Sequence, residues 1–176
     1  MIYLLGCEST GRRTDAEKLP LPEVAALACC WQSLERLDVT IDGNQMMLSS
    51  ATAVTKDKLT VVILDPLGRR WMTITQRNGE IEIDQSPEVN VKLPVKWLIL
   101  GIYLRNMTGN DWRFPGSNWV VERRGEQRLL KLGSKVQIRL IEDNKNSENQ
   151  YDSLVELRYL ELNLVVKITT LSRQFL

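Results

Sequence analysis

Residues 37–44 read Leu-Asp-Val-Thr-Ile-Asp-Gly-Asn, and residues 94–105 read Pro-Val-Lys-Trp-Leu-Ile-Leu-Gly-Ile-Tyr-Leu-Arg. The contrast between these stretches decides the fold. In the first, Leu37, Val39 and Ile41 alternate with Asp38, Thr40 and Asp42, the period of a strand with one buried face. Asp42-Gly43-Asn44 follows as a hairpin turn, because the first two residues tolerate the positive φ that a tight hairpin needs. In the second stretch apolar side chains point in every direction around a helix of roughly a dozen residues, well short of the ~20 needed to span a bilayer. Such a helix is expected to be buried against a sheet.

Working outward from the first stretch, the strand pattern repeats. Gln45–Val54 returns from the hairpin, Lys56-Asp57 turns into Leu59, Val61 and Ile63, and Asp65-Pro66-Leu67-Gly68 makes a loop before Trp71–Gln76. Arg77-Asn78-Gly79 turns into Ile81 and Ile83, which completes a β-meander. Upstream, Leu19-Pro20-Leu21-Pro22 is expected to start a short helix over Glu23–Cys30. Downstream of the apolar helix, strands resume at Asn118–Arg123, Arg128–Lys131 and Val136–Leu140. After a polar loop over Glu142–Gln150 they continue through Val155, Leu157 and Tyr159 and then Leu162–Ile168. The expected fold class is α+β, mostly antiparallel β: roughly ten short strands interrupted once by an apolar helix. A sheet that large must curl into an incomplete barrel, and its concave face must be filled by the helix, by a ligand, or by both.

Composition limits the chemistry. The chain has 176 residues, 43% of them apolar and 26% charged, and a formal net charge of +1. That suits one well-cored domain and gives no long-range attraction for nucleic acid. Arg12-Arg13, Arg69-Arg70 and Arg123-Arg124 fall at turns and read as solvated charges. With no histidine, a Ser-His-Asp or Cys-His apparatus and any His-ligated metal are excluded. Cys29 and Cys30 are neighbours and are expected as small buried hydrophobes rather than a bonded pair. No cofactor is expected. Glu80, Glu82 and Asp84 alternate on one strand, which reads as a solvated face rather than a paired acid and base.

At the N-terminus Leu4-Leu5-Gly6-Cys7 resembles a bacterial lipobox, in which a small residue precedes the cysteine that receives the lipid. The polar stretch Glu8–Lys18 then reads as a tether, with residues 19–176 as the β domain. The apolar run Ile2–Gly6 is shorter than the roughly 7–15 residues of a secretory signal. Either the recorded start lies downstream of the true one, or Cys7 is an ordinary thiol and the protein is cytoplasmic.

Leu64-Asp65-Pro66-Leu67-Gly68-Arg69-Arg70, the Leu93–Leu104 helix, Trp119 through Arg128-Leu129 and the closing Leu162–Leu171 strand form an ordered series. Together they resemble a small family of uncharacterised lipoproteins from the aryl polyene biosynthesis clusters of Gram-negative bacteria. That family is similar in turn to LolA and LolB, the periplasmic carrier and outer-membrane receptor of lipoproteins. The resemblance covers about Leu19–Leu171. It implies an incomplete antiparallel barrel with a hydrophobic cavity, and a Pro66-Leu67-Gly68 loop whose Leu67 touches the membrane. It also implies a lipid-anchored protein facing the periplasm on the inner leaflet of the outer membrane, because Glu8 is not the aspartate that usually retains lipoproteins at the inner membrane. Alternatively, Leu67 folds back onto the core. Cys29-Cys30 is not part of the family pattern.

Three functions compete. The favoured one is a cavity that holds a lipid, an acyl or polyene chain, or a lipidated partner. Its expected walls are Val39, Ile41, Leu59, Val61, Ile63, Trp71, Trp97, Leu100 and Leu104; the alternative is that these side chains simply pack together. The second is a scaffold that docks biosynthetic or export proteins without a ligand. An enzyme is the least favoured.

Overall fold

The computed structural model describes residues 19, 21–89, 93–107, 112, 117–143 and 154–176. Two antiparallel meanders are laid side by side. The first contains β1 (Trp31–Ile41), β2 (Asn44–Val54), β3 (Lys58–Leu64), β4 (Arg70–Arg77) and β5 (Glu80–Gln85). The second contains β6 (Trp119–Arg124), β7 (Gln127–Leu132), β8 (Lys135–Asp143), β9 (Leu154–Tyr159) and β10 (Leu164–Phe175). β1 and β10 pair antiparallel, from Trp31 against Phe175 to Ile41 against Leu164. The result is one ten-stranded sheet in the order β5-β4-β3-β2-β1-β10-β9-β8-β7-β6. The sheet curls without closing: β5 and β6 are its two edges, and helix α1 (Val95–Asn106) connects them.

Turn chemistry accounts for the meander. Asp42-Gly43 and Asn78-Gly79 hold φ of 48° and 84°, and of 51° and 77°, the paired positive φ of the hairpin turn that matches strand twist. Between the turns burial alternates: Leu59, Val61 and Ile63 of β3 face inward, as do Met72, Ile74 and Gln76 of β4. The edge strand β5 is exposed along most of its length, Glu80, Glu82 and Asp84 included. Short of closure, an exposed edge carrying charges discourages pairing with another chain.

Helix α1 buries Trp97, Ile99, Leu100, Gly101, Tyr103 and Leu104 in the same core as the inward faces of the strands. It approaches β9 so closely at Gly101 that a Cβ there would lie 2.2 Å from the Tyr159 hydroxyl oxygen and 2.9 Å from Leu157 Cδ1. Glycine is required at that position by space rather than by backbone conformation.

Three expectations are corrected. The segment Glu23–Cys30 forms only a 3-10 turn over Val24–Leu27, ended by Ala28 at φ 50°. Cys29 is exposed and Cys30 half-buried, and they form a disulfide with each other; the pair precedes β1, outside the inward positions of the sheet that would have buried it. Finally, β1 begins at Trp31 and β10 runs on to Phe175, beyond the apolar alternation at either end. The cause is that these extensions turn polar side chains inward.

Candidate functional site

The inward face of β1 and its two neighbours changes character row by row. Registers pair Ser33 with Thr52 on β2 and with Arg173 on β10, and Glu35 with Ser50 and Thr170. These two rows are polar. The next, Leu37 with Leu48 and Ile168, is apolar, and so is Val39 with Met46 and Val166. A polar block across three strands therefore abuts an apolar floor.

A β-bulge completes the block. Between Leu34 and Glu35 the register on β10 jumps from Ser172 to Thr170, so Leu171 is the extra residue. The jump inverts the parity of β10: Thr170 is buried, Leu171 and Ser172 are exposed, and Arg173 is turned back to the inner side opposite Ser33. Bulges re-aim side chains in this way next to functional sites.

A cavity of about 60 Å³ lies between this surface and helix α1. Ser33, Glu35, Ser50, Thr52, Arg105 and Asn106 form its polar part, and Val61, Ile63, Ile74, Leu157, Val166 and Ile168 contribute apolar walls. Its volume holds a few waters, well below the roughly 300–1,000 Å³ of a pocket for a drug-sized ligand. Leu98 and Ile102 of α1 line it on the helix side and remain half-exposed.

The polar part ties down the C-terminal end of α1. Arg105 Nη1 donates to Glu35 Oε1 at 2.5 Å and its Nη2 to Thr170 Oγ1 at 2.7 Å, while the Ser50 hydroxyl donates to Glu35 Oε2 at 3.5 Å. Both members of the ion pair are nearly buried, with side chains 13% and 12% exposed. Arg173 donates to Asn106 Oδ1 at 3.1 Å and lies 4.2 Å over the Trp31 ring. Burial, with the nearby charge of Arg105, lowers the pKa of Arg173, and Glu35 opposes that shift. Among the described residues, Ser33 Oγ and Arg173 Nε are buried without a hydrogen-bond partner. From the far side Arg128 of β7 closes the helix end, its Nη1 donating to the carbonyls of Leu104, Arg105 and Met107 at 3.1, 2.8 and 3.1 Å. A cation there also meets the negative end of the helix dipole.

Of the residues expected as cavity walls, Val61 and Ile63 line the cavity. Val39, Leu59, Trp97, Leu100 and Leu104 are buried in the surrounding core, with Trp97 edge-on to Tyr159 at 6.0 Å. Ile41 is half-buried near the β1 end. Trp71 is half-buried too, but it takes a position between Arg70 and Met72, and Met72, Ile74 and Gln76 are the buried residues of that strand. Gln76 links the helix to the N-terminal segment, accepting from the Tyr103 hydroxyl at 3.0 Å and donating to the Pro22 carbonyl at 2.9 Å. Burial raises the pKa of Tyr103, which keeps it a neutral donor.

Sequence reasoning missed Ser33, Glu35, Arg105, Thr170 and Arg173. The available signal was the run Trp31–Arg36, which has strand length but no apolar alternation.

At the β3–β4 loop, Leu67 is 80% exposed and does not fold back onto the core. The loop is built by Asp65, whose Oδ1 accepts from the backbone N–H groups of Leu67 and Arg69 at 2.8 and 2.9 Å. Its Oδ2 accepts from Arg69 Nε at 2.7 Å. Burial works to raise the pKa of Asp65, but the bonds from Arg69 and Leu67 outweigh it and hold the carboxyl below its ordinary value. Arg69 and Arg70 are both in ion pairs, with Asp65 and Asp84. No group of His, Cys, Asp and Glu among the described residues could hold a metal ion, and no described helix is long and apolar enough to cross a membrane. Cys7, Arg12 and Arg13 lie outside the described residues, as does most of the Glu142–Gln150 loop.

Residues 32–172 match a protein family described as "Protein of unknown function (DUF3261)". No curated protein matches the chain.

Proposed function

We propose that this chain, which belongs to the DUF3261 family, is a non-enzymatic carrier or receptor that holds an apolar chain between helix α1 and the curled sheet. One observation carries the reading: α1, apolar on nearly every side, covers the inward face of an open sheet and leaves a cavity against it. A sheet that does not close can widen, and a helix inserted between its edges can move without unpairing any strand. Loading requires Leu98, Ile102 and their backbone to shift, because about 60 Å³ is too small for an acyl chain.

The finer parts of the proposal follow the resemblance to LolA and LolB. The cargo is a lipid, a polyene or a lipidated partner, handled in aryl polyene assembly or localisation. Cys7 carries the anchor at the periplasmic face of the outer membrane, and Leu67 is the loop tip that touches the bilayer. A leucine tip contributes roughly 1.5–3 kcal/mol on burial, enough for contact but not for anchoring.

A docking scaffold without a ligand is the second reading, favoured by the same small volume.

Native mass spectrometry of the protein purified without detergent separates the two. A carrier retains an acyl or polyene mass, or takes up added decanol, and loses it in Val61→Phe, which fills the apolar wall and leaves the polar block intact. A clean mass with no uptake overturns the carrier and leaves the scaffold.

A further inference from the structure

The polar block has more binding capacity than holding the helix uses. Glu35 and Thr170 are engaged by Arg105, and Ser50 bonds to Glu35. Across the strand pair, Ser33 Oγ and Arg173 Nε remain buried and unpartnered among the described residues, on directly paired positions. Ser33 is 7% exposed and lines the cavity. Both are donors, so an acceptor placed between them would complete their hydrogen bonding. The charge is unbalanced in the same place. Arg105 and Arg173 face the single carboxylate of Glu35, which is committed to Arg105. Among the described residues no carboxylate lies within ion-pair distance of Arg173. Two rows further along, the same three strands present only apolar side chains.

We propose that Ser33 and Arg173 bind the carboxylate of a single-chain alkyl carboxylate whose tail runs over the apolar rows beneath helix α1. This rests on the ligand-holding reading above and adds the class of ligand. The donors fit a monoanion: one guanidinium nitrogen and one hydroxyl match the two oxygens of a carboxylate. A dianionic phosphate would call for a second uncommitted cation. The bulge at Leu171 is the device that makes the site, since without it Arg173 would point to the outer face. Trp31, stacked under Arg173 and lining the same cavity, supplies the signal.

The test is titration of the full chain with decanoate, decanol and decyl phosphate, read by tryptophan fluorescence and calorimetry. Decanoate is expected to bind about tenfold more tightly than decanol, the worth of a charge-assisted hydrogen-bond pair. Arg173→Met keeps the packing on Trp31 and should remove that preference, bringing decanoate and decanol to equal affinity; Arg173→Lys should restore most of it. Should Arg173→Met fail to fold, Ser33→Ala gives the same test, with a loss of roughly threefold for decanoate alone. Equal binding of decanoate and decanol overturns the carboxylate site but leaves the carrier standing, as does tighter binding of decyl phosphate. Binding of none of them overturns both.

Discussion

The two ends of helix α1 are held by different physics. Among the described residues no side chain caps its N-terminal end; Pro94 accepts the first backbone bond, from Leu98 N–H at 3.1 Å. That half packs into the core, with Trp97 against Tyr159 and Ile99 and Leu100 fully buried. The C-terminal half is held by direction, through Arg128 on the last carbonyls, Arg105 on Glu35 and Thr170, and Arg173 on Asn106. Contact tolerates sliding, because apolar packing is not directional. Hydrogen-bonded charges do not, because each needs its partner at a set distance and angle. On the proposed carrier reading, this difference predicts a pivot at the polar end and an opening for the ligand at the Trp97 side.

The largest expected effect breaks the apolar end. Trp97→Ala removes a side chain 3% exposed from the core and should cost about 3–5 kcal/mol in urea unfolding. Buried area dominates that loss, so it should differ little between low and high salt; a strong salt dependence would show that charge rather than packing holds this end.

Next in size is the polar end. Glu35→Ala leaves Arg105 nearly buried without its carboxylate and should cost about 3 kcal/mol. The double change Glu35→Met with Arg105→Met should recover much of that, since two apolar side chains of similar length replace a desolvated pair. If the double variant is as unstable as the single one, the pair is not what holds this end.

The smallest effect lies outside both ends. Leu67→Ser alters a side chain 80% exposed and should change stability by no more than about 0.5 kcal/mol. It should still weaken association with lipid vesicles if Leu67 is the membrane tip. The loop that presents it depends on ionised Asp65. Since the folded-state pKa of Asp65 lies below its ordinary 3.8, the stabilisation is complete above that pH and is lost as the pH falls through the lower folded value.

Legibility followed the same division. Hairpins such as Asp42-Gly43 and Asn78-Gly79 were readable because turn residues and apolar alternation are local signals, and α1 was readable because its apolar residues leave no polar face. The ends of β1 and β10 were not. Ser33 and Glu35 sit at inward positions but look like the solvent-facing residues of any strand, so the rows that form the polar block erase the signal that would have located them. The nine expected wall residues include Val61 and Ile63 of the apolar wall and none of the polar block, for the same reason.

By itself the sequence determined the antiparallel meanders, their turns, the single apolar helix and the absence of histidine chemistry, because each depends on residues within a few positions of one another. Only the tertiary structure decided that β1 pairs with β10 to join the two meanders, that Leu171 is the bulge, and that Arg173 therefore turns inward beside Ser33. Strand parity past a bulge depends on the register of the partner strand, here more than a hundred residues away in the chain, and no local pattern carries that information.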